Sequence, residues 1–303
     1  MKHLFIVNPI AGGRDHTQEV REKVEKAFAE RGGEYEIYVT RAPLDATDKI
    51  LAEAVKNTAL RVYACGGDGT FNECICGAAQ LPNVALCPFP TGTGNDFCRM
   101  FGEESELYRD LDALLDGEER PIDLINVNGR WCSNIASVGI DARIGTDVHK
   151  YSHIPVIGGA AGYVVSAVVN MFKGISRNMY IKCGDYYAEG GHTLICACNG
   201  RFYGGGFNPT LNARPDDGEL DFIIVRRVSL LTFARLIGKY AAGRADEFPK
   251  YVTHLKGTQI EIGFDEEEVV NLDGEALFAK RVTMNLVPGA AKLIVPKGMK
   301  FFG

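Results

Sequence analysis

The sequence predicts an α/β N-terminal domain built on a doubly wound parallel sheet, followed by a mainly antiparallel β domain. In the first third of the chain, short apolar, β-rich runs alternate with helical patterns at the spacing of βαβ units. Further along, the pattern changes to short strand-like runs separated by Gly, Asn and Asp. These two observations place the domain boundary between Pro121 and Asn128.

The N-terminal domain is predicted to contain four strands joined by helices. Val20, Val24 and Phe28 recur at the i, i+4, i+8 spacing of one helix face. The second helix is expected to bury Ile50, Leu51, Ala54 and Val55, and a further helix is predicted over 103–115. The predicted strands are HLFIV (3–7), YEIYV (35–39), LRVYAC (60–65) and VALCPF (84–89).

The second domain is predicted to be mostly strands, with helical insertions near 160–172 and 230–242. The stretch 154–172 has no charge over 19 residues and reaches the lower length limit of a membrane span. Pro155 and three glycines shorten its helical part, which favours a buried core helix over a span. The predicted strands are IDLINV, RWCSNIASV, NMYIKC, HTLICACN, ELDFIIV, TQIEIGF, EVVNL, ALFAK and RVTMNLV.

Composition excludes several classes of protein. The chain has 303 residues, 46% of them hydrophobic, and a net charge of −6, which argues against electrostatic binding to nucleic acid. Its nine cysteines lie mostly in apolar runs and lack zinc-ligand spacing, so they are expected to be buried free thiols. The apolar run before Asn8 is too short for a secretory signal, and we expect a cytoplasmic protein.

The strongest chemical signal is GGDGTFNE at 66–73, between a predicted strand and a helix. Glycines at such a turn let backbone N–H groups approach phosphate oxygens, and a helix N-terminus favours an anion. Asp68 adds a carboxylate suited to Mg²⁺, directly or through water. A glycine-rich turn can also serve only to relieve the backbone, but three glycines with an Asp and a Thr favour a phosphate site.

Two other polar, glycine-rich turns follow predicted strands of the same sheet, NPIAGG (8–13) and PTGTGNDF (90–97). The carboxyl ends of parallel strands line one crevice, where ligands usually bind. Asp96 would direct a second carboxylate there, and Asp123 in RPIDL would follow into the cleft between the domains. A capping or turn role for Asp123 stays open.

These three motifs, in this order, resemble the diacylglycerol kinase catalytic-domain family, and the chain is most similar to its soluble bacterial lipid kinases. RPDDGELDF (214–222) and NLDGE (271–275) extend the resemblance over essentially the whole chain. It implies a nucleotide-binding domain over 1–125, completed by 289–303, and a β-sandwich lipid-substrate domain over 126–288. Arg14 and Arg99 follow phosphate-site turns and could steady phosphates.

The resemblance also implies ATP and Mg²⁺ as cofactors. It assigns an Asp–water–Mg²⁺ network to Asp68, Asp96 and Asp123. The implied ATP-binding residues are Asn8, Pro9, Gly12, Thr40, Gly66, Gly67, Asp68, Gly69, Thr70, Phe71, Asn72, Glu73, Gly92, Thr93 and Asn95.

The late motif suggests the acceptor side of the reaction. Asp273-Gly274 is a strong hairpin dipeptide between two strand-like runs, so Asp273 and Glu275 are expected at an exposed tip facing the cleft. A carboxylate near an alcohol can accept its proton during phosphoryl transfer. The family makes Glu275 the first choice for proton acceptor and Asp273 the second.

Judged from its residues alone, the turn RPDDGELD is expected to be a polar, solvated turn. The resemblance implies a structural Mg²⁺ there, held by the Asp217 side chain and by backbone carbonyls of Arg214 and Glu219. The stretch 154–172 and the aromatic turn RFYGGGF (201–207) could shape an acyl-chain channel.

We therefore expect an ATP- and Mg²⁺-dependent kinase that phosphorylates a lipid hydroxyl, with diacylglycerol as the leading acceptor. Peripheral, reversible contact with a membrane follows, and the family makes a homodimer plausible. Alternatives are a kinase for phosphatidylglycerol, a sphingoid base or NAD, and a non-catalytic nucleotide or lipid sensor. The complete set of carboxylates speaks against the sensor, since a binder needs no proton acceptor.

Overall fold

The computed structural model describes residues 1–91, 95–151 and 174–303. The chain divides into two compact units. Unit 1 comprises Met1–Leu124 and Val287–Gly303, and unit 2 comprises Ile125–Leu286. The core helix predicted over 160–172, and its alternative as a membrane span, lie outside the described residues.

Unit 1 is built on a parallel sheet with the strand order β4-β3-β1-β2. This order and direction confirm the predicted doubly wound α/β architecture. The C-terminal part of the chain adds a further parallel pairing, since Lys292 and Leu293 of the last strand lie opposite Ala85 and Leu86. The four strands are β1 (Lys2–Val7), β2 (Glu34–Val39), β3 (Leu60–Gly66) and β4 (Val84–Pro90).

The helices of unit 1 pack apolar faces on this sheet. Val20, Val24 and Phe28 are buried on α1, as their spacing predicts. The α-helices are α1 (Thr17–Arg31), α2 (Asp45–Ala54), α3 (Asp68–Ala78), α4 (Asp96–Arg99) and α5 (Leu111–Leu115), with short 3₁₀ helices at Ala11–Gly13 and Gly102–Arg109.

Two helix predictions in unit 1 are partly wrong. On α2, Ala46 and Ile50 are buried, whereas Leu51 and Val55 are 44% and 85% exposed. Because α2 begins at Asp45, its buried face falls at 46, 50, 53 and 54. The helix predicted over 103–115 is a 3₁₀ helix followed by α5, because Asp110 is extended and its side chain caps α5 by accepting hydrogen bonds from two backbone N–H groups.

Unit 2 is mainly antiparallel β structure, as predicted. Its strands pair in the order β11-β10-β9-β7-β12-β13, and β8 also pairs with β9 and β12. β5 begins in unit 1 and β13 ends there. The strands are β5 (Glu118–Val127), β6 (Arg130–Cys132), β7 (Ile135–Gly139), β8 (Arg177–Cys183), β9 (Tyr186–Cys198), β10 (Leu220–Arg226), β11 (Val252–Gly257), β12 (Gln259–Leu272) and β13 (Glu275–Val295).

Some strand boundaries differ from the predictions. The runs TQIEIGF and EVVNL belong to the single strand β12, which has a register shift between Gly263 and Glu268. ALFAK and RVTMNLV likewise form one strand, β13, and RWCSNIASV is split between β6 and β7 at residues 133–134.

Two α-helices are described in unit 2, α6 (Ile140–Tyr151) and α7 (Leu230–Tyr240). α7 lies within the predicted range 230–242. Over the part of the chain that the structure describes, no helix has both the length and the apolar character needed to cross a bilayer.

Candidate active site

The carboxyl ends of the four parallel strands meet at one edge of the sheet in unit 1. Backbone hydrogen bonds continue past the strand ends and hold the following residues side by side, so the predicted residues Asn8, Thr40 and Gly66 are brought to the same edge. These bonds join the N–H groups of Asn8, Thr40 and Thr91 to the carbonyls of Cys65, Val7 and Gly66 at 3.0, 2.9 and 3.2 Å.

The turn between β3 and α3 is only one residue long. β3 ends at Gly66 and α3 begins at Asp68, with Gly67 extended at φ −109° and ψ −164°. A Cβ on Gly66 would lie 2.3 Å from the Thr70 hydroxyl oxygen, so the close approach of strand and helix requires glycine there. On Gly67 or Gly69, a Cβ would meet no atom of the described chain within 4 Å. Among the described residues, the start of this helix is therefore uncrowded at Gly67 and Gly69, and a helix N-terminus suits an anion.

Asn8 connects the first turn to α3. Its side-chain amide donates to the Thr70 hydroxyl at 3.1 Å, and its side-chain oxygen accepts from the Ile10 N–H at 3.1 Å. Pro9 is half-buried in this turn, and the exposed Gly12 has a φ of +68°. The NPIAGG turn is therefore tied directly to the helix that follows the GGDGT turn.

Asp68 connects α3 to the turn after β4. Its carboxylate accepts hydrogen bonds from the backbone N–H of Asn95 at 2.7 Å and of Phe97 at 3.4 Å. Gly92 and Thr93, also predicted to bind ATP, lie outside the described residues. Asp68 thus serves as a structural link as well as a carboxylate at the helix start.

The other predicted ATP residues lie along α3. Phe71 and Asn72 are 3% and 5% exposed, and the Phe71 ring lies 4.7 Å from the Phe97 ring. The backbone carbonyl of Glu73 accepts a hydrogen bond from the Thr47 hydroxyl at 2.8 Å. Phe71 and Asn72 therefore contribute to the interior of unit 1.

The remaining two carboxylates of the predicted magnesium network are buried in unit 1. Asp96, 7% exposed, pairs with the Arg99 guanidinium at 3.2 Å, and Asp123, 5% exposed, accepts from the Gly289 N–H at 2.8 Å. Carboxylate oxygens are the donors that Mg²⁺ takes. Across residues 1–91, 95–151 and 174–303, no group of three His, Cys, Asp or Glu side chains is arranged to hold a metal directly. The three carboxylates are therefore of the donor type that Mg²⁺ takes, and the magnesium network stays a prediction.

The Asp273-Gly274 turn in unit 2 has the predicted hairpin geometry. Leu272 pairs with Glu275 across it, and the two turn residues have φ of +50° and +101°. Both positive angles are typical of a two-residue hairpin turn. Glu275 is exposed as expected, and among the described residues no hydrogen-bond or ion-pair partner contacts its carboxylate.

Asp273 does not lie at an exposed tip. It is half-buried, and its carboxylate accepts hydrogen bonds from the Ser133 N–H and hydroxyl at 2.7 and 3.0 Å. The N–H groups of Asn134 and Ile135 donate to it at 3.2 and 2.8 Å. The expectation of an exposed Asp273 is wrong because the loop between β6 and β7 surrounds its side chain.

The predicted structural magnesium turn also lies in unit 2. Asp217 accepts from the Glu219 N–H at 3.1 Å, and Arg214 pairs through its guanidinium with Asp216 at 2.9 Å. The Glu219 side chain pairs with Lys256 at 3.1 Å. The side chains of Arg214 and Glu219 therefore pair with other residues. Their backbone carbonyls are the groups that could contact an ion at this turn.

Comparisons with known proteins match both units. The model for the diacylglycerol kinase catalytic domain matches residues 2–127, and the model for the YegS C-terminal NAD kinase beta sandwich-like domain matches residues 134–295. The chain belongs to the diacylglycerol kinase catalytic-domain family. As a family member it is a lipid kinase, and its fold is the predicted α/β domain followed by a β-sandwich-like domain.

Individual relatives agree with this assignment. A probable lipid kinase YegS-like protein from Pseudomonas aeruginosa is 31% identical over 290 residues, which covers 95% of this chain and 93% of the relative. A diacylglycerol kinase from Bacillus subtilis is 28% identical over 280 residues, covering 89% and 88%. The crystal structure of a diacylglycerol kinase from Bacillus anthracis, 24% identical, shares the fold with a TM-score of 0.71 and covers 99% of this chain and 98% of its own.

Sequence reasoning did not predict all parts of this candidate site. No sequence motif indicates the hydrogen bonds from Ser133 and Asn134 to Asp273. The same holds for the hydrogen bond from the Gly289 N–H to Asp123. The polar pair Ser133-Asn134 lies inside RWCSNIASV, which was predicted as one strand-like run. Backbone donors leave no trace in residue type, so the Gly289 contact had no sequence signal.

The aromatic turn 201–207 contributes to the interior of unit 2. The Tyr203 hydroxyl lies 3.1 Å from the Tyr240 hydroxyl, which is 3.1 Å from the Cys196 sulfur. Burial raises the pKa of the nearby Asp141 to about 6. Tyr240 also borders a small apolar cavity of about 40 Å³ beneath α7. Its lining includes Leu194, Val225, Phe233, Leu236, Ile237 and Tyr240.

Proposed function

We propose that this chain is an ATP- and magnesium-dependent lipid kinase that transfers the γ-phosphoryl group to a lipid hydroxyl, converting diacylglycerol to phosphatidic acid. The observation that carries the proposal is the start of α3. There, no described atom lies within 4 Å of a Cβ placed on Gly67 or Gly69 at a helix N-terminus, and the Asp68 carboxylate lies at the same position. This combination suits the phosphates of a nucleotide with their metal ion.

In this proposal, the strand ends of unit 1 bind ATP. Backbone N–H groups of Gly67 to Thr70 would face the phosphates, while Asn8 and Thr40 lie on the neighbouring strand ends. Asn8 and Asp68 hold the adjoining turns in place through Thr70 and Asn95. Such fixed donors need little rearrangement during the reaction, which is how positioned groups accelerate phosphoryl transfer.

Asp68, Asp96 and Asp123 would hold Mg²⁺, partly through water. When bound, the ion neutralises phosphate charge and orients the γ-phosphoryl group. Hydrogen bonds from the protein fix the direction of two of these carboxylates: Asp68 accepts from the Asn95 N–H, and Asp123 accepts from the Gly289 N–H. In unit 2, Asp217 and the carbonyls of Arg214 and Glu219 would hold a second, structural Mg²⁺.

The proton of the acceptor hydroxyl requires an acceptor on the protein. We assign this role first to Glu275, with Asp273 as the second choice. Glu275 is exposed and is presented by a short, defined turn. An available carboxylate at hydrogen-bond distance can take the proton as the alcohol oxygen attacks the γ-phosphorus. A Glu275→Gln variant with near-normal turnover would overturn the assignment.

The apolar cavity beneath α7 supports a lipid acceptor. Its surface is apolar, and Phe233, Leu236 and Ile237 on α7 are only half-buried. A few terminal methylenes of an acyl chain could enter such a space and be released from water, at about 0.8 kcal/mol per methylene. The acceptor would then come from a membrane that the protein contacts reversibly, with or without a partner copy.

The direct test is transfer of labelled γ-phosphate from ATP to lipids in mixed micelles with magnesium. The acceptor panel contains diacylglycerol, phosphatidylglycerol and sphingosine, with free NAD alongside. We expect label on diacylglycerol, lost when magnesium is chelated and in Asp68→Ala. Label on another lipid would change the acceptor, and label on NAD alone would place the chain with NAD kinases. ATP binding without transfer to any acceptor would favour a sensor.

A further inference from the structure

The turn that carries Glu275 is held by donors from another part of unit 2. One carboxylate oxygen of Asp273 accepts from the N–H and hydroxyl of Ser133, at 2.7 and 3.0 Å. The other oxygen accepts from the Ile135 N–H at 2.8 Å, and the Asn134 N–H lies 3.2 Å from both oxygens. Four donors from three consecutive residues thus surround one carboxylate. Hydrogen bonds to an ionised acceptor are about twice as strong as neutral ones.

The donor loop is itself fixed by the protein interior. The Asn134 carbonyl accepts from the N–H groups of Asn199 and Gly200, both at 2.9 Å. The Asn199 side chain donates to the Ser133 carbonyl at 2.7 Å. Ser133 and Asn134 are 2% and 5% exposed, and Asn199 is fully buried. The donor loop is therefore also held by contacts that do not involve Asp273.

The turn allows little conformational freedom between Asp273 and Glu275. Asp273 has a φ of +50°, in the left-handed region that Asp tolerates better than most residues, and Gly274 follows at +101°. The Asp273 N–H also donates to the Ile135 carbonyl at 3.3 Å. Since Glu275 begins β13 directly after these two residues, the Asp273 carboxylate fixes where the Glu275 side chain starts.

We propose that Asp273 is a positioning residue for Glu275, and that Ser133 is the side chain that holds it. A carboxylate has about four lone-pair positions, and four donors engage those of Asp273. With these positions occupied by donors from the protein, Asp273 has little room to accept a hydrogen bond from an alcohol. Glu275 has no such donors among the described residues. The inference rests on the proposed function, because it assigns Glu275 the proton.

The test compares Ser133→Ala in two backgrounds, wild type and Glu275→Gln. In the wild-type background, we expect kcat for lipid phosphorylation to fall at least tenfold with the KM for ATP unchanged, because small misplacements of a reacting group can cost about a hundredfold. In the Glu275→Gln background, Ser133→Ala should change the residual kcat less than twofold. A hydroxyl that matters only for stability would lower kcat equally in both backgrounds, or in neither, and either result would overturn the proposal.

Ser176→Ala is the matched control. Its hydroxyl also lies in unit 2, 2.9 Å from the Thr193 hydroxyl, so its removal should cost similar stability and leave kcat unchanged. Equal loss of kcat in Ser176→Ala and Ser133→Ala would contradict a specific role for Ser133.

Amide hydrogen exchange over 271–277 tests the anchor without any activity. Ser133→Ala and Asp273→Asn should both speed exchange at Gly274 and Glu275, since an amide NH₂ cannot accept the backbone donors that a carboxylate oxygen accepts. Unchanged exchange in both variants would overturn the anchor. If wild-type protein transfers phosphate to no lipid, the proposed function fails, while this measurement still decides whether Asp273 and Ser133 hold the turn.

Discussion

The Asp68 carboxylate accepts a hydrogen bond of 2.7 Å from the backbone N–H of Asn95, 27 residues along the chain. This bond joins the GGDGT turn to the GTGNDF turn, the two motifs that resemble phosphate sites. A single side chain therefore offers a carboxylate at the start of α3 and fixes the neighbouring turn. Loss of Asp68 is expected to affect both the metal side of the site and its geometry.

Asp68→Ala should lower kcat by more than a hundredfold and destabilise unit 1 by about 1–3 kcal/mol, since it leaves the Asn95 and Phe97 N–H groups without this acceptor. Steady-state kinetics and denaturant unfolding measure the two effects. Asp110→Ala is the matched control, because Asp110 also accepts from two backbone N–H groups, those of Asp112 and Ala113. It should lose comparable stability and keep its kcat. Equal activity loss in both variants would argue against a catalytic role for Asp68.

Substitution of two glycines of the GGDGT turn is expected to weaken nucleotide binding without impairing folding. Gly67→Ala and Gly69→Ala place a methyl group where no described atom lies within 4 Å, so they should fold with little loss of stability. If phosphates occupy that space, the KM for ATP should rise about tenfold or more. Isothermal titration with ATP and magnesium measures the loss directly. Unchanged affinity in both variants would mean that the nucleotide does not approach this turn.

Gly66→Ala is the contrasting variant. Its methyl group would lie 2.3 Å from the Thr70 hydroxyl oxygen, so strand or helix must shift. We expect a lower melting temperature as well as weaker ATP binding. A stable Gly66→Ala protein would show that the strand-to-helix turn can relax more than its geometry suggests.

The strands of the parallel sheet could be predicted because each is a short buried run between amphipathic helices. Antiparallel strands were harder to delimit. The acidic run 265–267 reads as a break, yet it lies within β12, where the register shifts between Gly263 and Glu268. Exposed positions on α2 were also misassigned, because Leu51 and Val55 are apolar without being buried. Residue type alone does not show which face the sheet covers.

The candidate site was predictable where its residues are consecutive, and not where they are distant in sequence. The turns at 8–13 and 66–73 are motifs in themselves. By contrast, Ser133 meets Asp273 across 140 residues, and Gly289 meets Asp123 across 166. These contacts depend on backbone N–H groups that every residue except proline carries, so no residue pattern announces them.

Magnesium is expected to stabilise unit 2 through Asp217. If the turn 214–219 holds a structural ion, a chelator should lower the melting temperature, because a ligand that binds only the folded state adds to its stability. Asp217→Asn should melt at the same temperature with and without chelator. Asp216→Asn, which removes an equal charge from the same turn, should keep the dependence on magnesium. An unchanged melting temperature of the wild type on chelation would exclude a structural ion there.

Glu53 should make unit 1 sensitive to acid. Glu53 is 4% exposed, and its carboxylate accepts hydrogen bonds from Lys2, Lys56 and Lys49 at 2.7, 3.0 and 3.1 Å. These lysines hold its pKa at about 2, below its ordinary 4.5. Because the pKa is lowered in the folded state, the stabilisation is complete above pH 4.5 and is lost as the pH falls from 4.5 towards 2.

Glu53→Gln should therefore lower the free energy of unfolding by at most about 3 kcal/mol at pH 7. This difference should shrink steadily as the pH falls below the pKa of Glu53 in the unfolded chain. Urea unfolding at several pH values measures it. Glu22→Gln on the exposed face of α1 serves as the control and should change stability little at any pH. A Glu53→Gln deficit that persists at pH 2 would show that packing, rather than charge, accounts for the effect.

Filling the cavity beneath α7 should weaken binding of long acyl chains and leave ATP unaffected. Ile237→Trp places an indole in the space that Leu236 and Tyr240 also line. Excluding two methylenes from this space would cost about 1.6 kcal/mol, so the KM for a long-chain diacylglycerol should rise at least tenfold. A short-chain diacylglycerol should be phosphorylated as before. Arg235→Trp adds the same bulk to the exposed side of α7 and should change neither KM. If Ile237→Trp changed the KM for long and short chains equally, the acyl chain would bind elsewhere, because only a chain that enters the cavity is affected by its volume.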